Sequence, residues 1–113
     1  MPKNELHLKL YSDPSHGWLA VKTEIVRLAG CEISPFSYQR GKTAYLEEDS
    51  DAPAFLRAIK EKGFSVFIEE RHTNRNSPIR SYKEFRQLKE QMFSEFIRDH
   101  FVFATIGFKT PAN

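Results

Sequence analysis

His16 stands three residues after Asp13 in the segment Ser12-Asp13-Pro14-Ser15-His16-Gly17. A carboxylate beside an imidazole fixes its tautomer and raises its basicity, as an oriented general base requires. A small hydrolase or transferase built on His16 and Asp13 would need a concave pocket lined by both. The same residues are also turn chemistry, since Asp13 can accept from N–H groups two residues on, Pro14 presets φ and Gly17 tolerates positive φ. Cys31 is the single thiol, and it becomes a nucleophile only if a neighbour lowers its pKa; Glu32 beside it acts the other way. His7, His72 and His100 lack zinc spacing, and one cysteine cannot complete a thiolate cage. The run Glu47-Glu48-Asp49-Ser50-Asp51 offers hard oxygen ligands for Mg²⁺ or Ca²⁺. It lacks the glycine of an EF-hand loop, and carboxylates before a helix equally serve to cap it and to meet its dipole. No P-loop, GxGxxG or GxSxG motif occurs. The chain is therefore expected to be no enzyme and to need no cofactor or metal.

Two stretches carry binding chemistry. Tyr38, Arg40 and Lys42, with Tyr45 close by, mix rings that stack on unpaired bases with cations that track phosphates; an ordinary turn at Gly41 with solvated cations accounts for the same residues. Arg71, Arg75, Arg80, Lys83, Arg86 and Lys89 face one acid, Glu84, across the most basic part of the chain. Such a stretch suits nucleic-acid phosphates or an acidic protein surface, or is simply the solvated face of a helix. Eight of the ten Phe lie at or beyond Phe64. Phe93 and Ile97 widen the apolar stripe that includes Phe96, and with Phe101 and Phe103 in the apolar segment that follows they make a candidate protein interface, either for a host factor or for a homodimer; packing into one large core is the alternative.

The elements that must position these residues follow from periodicity. Leu6-His7-Leu8-Lys9-Leu10-Tyr11 alternates as a half-buried strand, and Trp18-Leu19-Ala20-Val21 returns as its hairpin partner across a polar loop at 12–16. Val21, Ile25 and Leu28 mark a short helix over about 22–29 that Gly30 ends. Residues 31–42 read as irregular and 43–46 as a strand. Asp51 as N-cap, Pro53 in the first turn and the stripe Ala52, Phe55, Leu56 and Ile59 make a second helix, stopped at Gly63. Phe64-Ser65-Val66-Phe67-Ile68 reads as a central strand, and 72–78 as a loop. Ser81 and Glu84 have capping-box spacing for a third helix carrying Tyr82, Phe85, Leu88, Met92 and Phe96 to about Asp99. Residues 101–106 are apolar enough for a final strand. The expectation is a single α+β domain over 1–113, a mainly antiparallel sheet with about three helices on one face.

With 113 residues, 17 Lys/Arg and 15 Asp/Glu, the chain is long enough for one core. No window approaches a membrane span, and MPKNELHLKL lacks the apolar stretch of a signal peptide, so no membrane partner and a cytoplasmic setting are expected. The net charge of +2 hides an uneven distribution: residues 1–40 sum to +1, 41–70 to −3 and 71–113 to +4.

Three ordered blocks carry a resemblance: Asp13-Pro14-Ser15-His16-Gly17-Trp18-Leu19-Ala20-Val21, Ile33-Ser34-Pro35-Phe36-Ser37-Tyr38-Gln39-Arg40-Gly41, and Ala44-Tyr45-Leu46-Glu47-Glu48-Asp49-Ser50-Asp51. Together they are similar to a group of small proteins encoded by bacterial phages, plasmids and other mobile elements, with the pattern DPxHGWLxV…ISxYSYxRGxxxYLEEDxD. The likeness covers about residues 6–82 and closes on Ser77-Pro78-Ile79-Arg80-Ser81-Tyr82. Phe36 replaces the group's usual Tyr, and residues 83–113 lie outside the match as a C-terminal helix and tail. The resemblance implies a bacterial or phage origin and an accessory or host-modulating role, and it implies no particular chemistry.

Overall fold

The computed structural model describes residues 4–85. Leu6, Leu8 and Leu10 alternate with Glu5, His7, Lys9 and Tyr11, and this period of two gives β1 (Glu5–Ser12) one apolar and one polar-aromatic face. β2 (Gly17–Lys22) pairs with it antiparallel, Leu10 opposite Leu19 and Tyr11 opposite Trp18. The chain then enters α1 (Thr23–Ala29), which Gly30 ends at φ 73°, a left-handed conformation that costs glycine little. β3 (Tyr38–Arg40) and β4 (Thr43–Glu47) form a tight hairpin through Gly41 at φ 60°. α2 (Asp51–Glu61) crosses back over the sheet to β5 (Ser65–His72). A 3₁₀ turn (Pro78–Ser81) and β6 (Lys83–Glu84) complete the described chain.

The strand order is β5-β1-β2-β4-β3-β6. β5 runs parallel to β1, with Leu6 beside Val66 and His7 beside Phe67, while the other pairings are antiparallel. Both helices cover the apolar face. Leu19, Val21, Ala44 and Leu46 from the sheet meet Val26 and Ala29 of α1 and Ala52, Phe55 and Ile59 of α2, with Leu6, Leu8, Leu10 and Val66 packed at the margin. Phe55 is fully buried; a ring of that size contributes roughly 1.5–3 kcal/mol through its burial.

Several expectations need correction. The sheet is mixed, because α2 is long enough to carry the chain across it and return β5 parallel to β1. Among the described residues there are two helices rather than three. Tyr82, Lys83, Glu84 and Phe85 do not open a third helix: the Ser81 hydroxyl donates to the Pro78 carbonyl at 2.8 Å instead of capping forward, and Lys83 and Glu84 pair with β3. Its expected continuation over 86–99 and the strand at 101–106 lie outside the described residues. β5 lies at an edge of the described sheet, not at its centre, and extends to His72. The stretch 31–42 contains β3. In α1 the buried residues are Val26 and Ala29 and Leu28 is 48% exposed, because Val21 belongs to β2 and the helix takes its phase from Thr23.

Candidate functional site

The Asp13 carboxylate is buried and serves several donors at once. Oδ1 accepts from the N–H groups of Ser15 and His16 at 3.0 Å each and from Arg80 Nη2 at 3.0 Å. Oδ2 accepts from Arg80 Nε at 2.7 Å and from the Ser77 N–H at 3.0 Å. The Arg80 guanidinium holds this carboxyl far below the usual carboxylate range, against the effect of burial and with help from the N–H groups of Ser77, His16 and Ser15. Asp13 therefore fastens the 77–82 segment to the β1–β2 loop. It meets the His16 backbone and not its imidazole, which is exposed and lies edge-on to Trp18 at 6.0 Å. The structure does not assemble an Asp13–His16 base pair.

The acidic run is also built into the fold. Ser50, not Asp51, is the N-cap of α2. Asp51 turns inward, accepting from the Ser34 N–H at 3.1 Å, the Ser34 hydroxyl at 2.7 Å and the buried Ser37 hydroxyl at 2.5 Å. Glu47 accepts from the N–H groups of Asp49 at 2.7 Å and Ser50 at 3.0 Å; partial burial raises its pKa, but these bonds outweigh it and the net shift is downward. Among the described residues no group of three or more His, Cys, Asp or Glu is placed to hold a metal ion. Burial pushes the Cys31 thiol up, and the charge of Asp51 adds to it, so no thiolate is favoured there. At the ends of β1 and β5, Ser12 Oγ donates to Glu70 Oε2 at 2.8 Å and lies 2.9 Å from His72 Nδ1.

The face of the sheet opposite the helices is different in kind. The registers put Phe67, His7, Lys9, Tyr11, Ala20 and Tyr45 on it together. The His7 and Phe67 rings stack at 5.0 Å and 17°. Tyr11 and Tyr45 are tilted at 6.4 Å, and Tyr45 and Tyr82 at 5.1 Å. Burial raises the Tyr45 phenol above its ordinary pKa, with neighbouring Tyr82 and Tyr11 adding to it. The 77–82 segment straps one end of this face: Arg80 lies over the buried Trp18 ring at 5.4 Å, and Arg40 over Tyr82 at 5.3 Å. The end formed by β5 and β1 is left uncovered among the described residues, with Phe67 48% exposed.

The residues singled out from sequence are dispersed by this topology. Tyr38 is half-buried against Trp18, Arg40 is exposed beside Tyr82, and Lys42 is exposed in the β3–β4 turn. The β3–β6 pairing brings Lys83 beside Gln39, joining the two basic stretches at one edge. Arg71 sits on β5 at the other edge, bonded to Glu69 at 2.7 Å, and Arg75 is in the loop beyond. Arg80 is consumed by Asp13. Arg86, Phe93, Phe96, Ile97, Phe101 and Phe103 lie outside the described residues. His7, Lys9, Tyr11 and Phe67 were not legible as a group: the polar phase of β1 held three of them, but only the parallel pairing sets Phe67 alongside. Comparison of the chain with protein-family models, with curated proteins and with solved structures finds no match.

Proposed function

We propose that this is a non-enzymatic binding module that takes a macromolecule on the open face of its sheet. The observation that carries the reading is the aromatic end of that face, uncovered among the described residues, while the opposite face is closed by two helices and the carboxylates of Asp13, Glu47 and Asp51 are committed to internal bonds. A sheet face bearing several rings is costly to leave in water and is useful where a partner covers it. The accessory or host-modulating role implied by the resemblance to mobile-element proteins, in a bacterial cytoplasm, would be exercised through this surface. An interface between copies of the chain or with a host protein through Phe93, Phe96, Ile97, Phe101 and Phe103 is the other reading.

The test is amide shift mapping of the full chain against a defined panel: a single-stranded oligonucleotide, a duplex, an acidic peptide, an anionic vesicle and the protein itself at raised concentration. The expected shifts cluster at Lys9, Tyr11, Ala20, Tyr45 and Phe67. Shifts centred on α2, or no response to any member of the panel, overturn the reading.

A further inference from the structure

The geometry points to an unpaired nucleic-acid strand as the ligand of the open sheet face, held at two aromatic stations, Phe67 with His7 and Tyr11 with Tyr45, and joined between them by Lys9. This rests on the reading of that face as the binding surface and names the ligand it takes. His7 and Tyr11 are four residues apart on β1, which places the stations about 13 Å from each other at the rise of a strand. Bases of a duplex are spaced about 3.4 Å apart and already stacked on one another, so they cannot offer ring faces to both stations. An extended single strand can, with about three to four nucleotides.

Formal charge on the face is balanced, with Glu5, Glu47, Glu69 and Glu84 against Lys9, Lys22, Arg40 and Arg71, so the rings select the ligand and Lys9 adds a local phosphate contact. Glu69 is shared by Arg71 at 2.7 Å and by Lys9, whose charge helps to lower its pKa, while Glu5 lies 3.1 Å from His7 and Glu47 accepts from loop N–H groups. Lys9 and Lys22 stand on the same face and are exposed, Lys9 directly across from Glu69 in the β1–β5 register. Glu84 is exposed on β6, at the far edge. Stacking on the rings, with Lys9 between the stations to meet a phosphate, needs no base-edge readout, so binding is tolerant of sequence.

The experiment is a fluorescence anisotropy titration of the full chain with labelled oligo-dT and oligo-rU of increasing length, and a duplex, at about 50 and 200 mM salt. Saturable binding of either sugar is expected, levelling off at about four nucleotides and at least about tenfold tighter than the duplex. Phe67→Leu keeps an apolar side chain and removes the ring, and it should weaken binding by about 5- to 100-fold while Phe67→Trp retains it. Lys9→Ala should weaken all sequences alike and reduce the slope of log K against log salt by about 0.7. Equal affinity for the duplex, an unchanged affinity in Phe67→Leu or Lys9→Ala, or silence at low salt overturns the inference. Silence towards oligonucleotides with shifts on the same face from the acidic peptide rejects the ligand and leaves the surface standing. No shift from any panel member rejects both.

Discussion

Asp13 shows how a residue type that suggests catalysis can be wholly absorbed by architecture. In a loop an aspartate near a histidine is ambiguous; here Arg80, 67 positions away in sequence, and three N–H groups take its lone pairs. Because its pKa is lowered in the folded state, the stability it contributes is present above the unfolded aspartate value near about 3.9 and is lost as pH falls below it. Asp13→Asn should therefore be less stable than the parent at neutral pH, with the difference shrinking as the pH drops below about 4. Urea unfolding of both proteins at neutral and acid pH measures this, and a difference that stays constant with pH would show that the charge is not what Asp13 contributes. Ser37 makes a similar point: its hydroxyl donates to Asp51 and accepts from the Glu47 N–H at 2.9 Å, and nothing in its neighbours along the chain announces a buried node.

At the scale of elements, local signals succeeded where one short-range cause dominates. The alternation in β1, the stripe on α2 and the stop at Gly30 each act within a turn or two of chain. Gly30 has positive φ, and a methyl group added there would meet no other atom within 4 Å, which leaves backbone strain as the whole penalty. Gly30→Ala should therefore cost about 1 kcal/mol and Gly30→Asn less, measured by chemical denaturation. Equal stability of all three would mean that the left-handed end is not retained. Local signals failed where pairing decides. β3 is three residues long and exists because β4 and β6 bond it from both sides. The capping-box spacing at Ser81 and Glu84 was overruled by the same sheet, which draws the Phe85 N–H to the Ser37 carbonyl at 2.7 Å.

For the whole molecule, strand order is the decisive fact. It sets β5 and β6 at opposite edges of the described sheet, so a basic stretch continuous in sequence is divided between them, and it builds an aromatic face from residues far apart in the chain. Strand order and length also rank local stability: β1, β2 and β4 are flanked on both sides and cover the core, whereas β3 is three residues long and its outer neighbour β6 is two residues long and exposed. Amide hydrogen exchange should find the N–H groups of β2 and β4 slowest and those of β3 and β6 faster by orders of magnitude. Uniform protection across the sheet would contradict this ranking.

By itself the sequence determined the hairpin, the existence of both helices, the apolar phases of β1 and α2 and the α+β class, because periodicity and turn chemistry act over a few residues. Only the tertiary structure decided that the sheet is mixed, that Asp13 and Arg80 are spent on one another, and that Phe67, His7, Lys9 and Tyr11 share a surface. Those outcomes depend on which strands become neighbours. That choice is made by burial of the common apolar face beneath α1 and α2, and no window along the chain contains it.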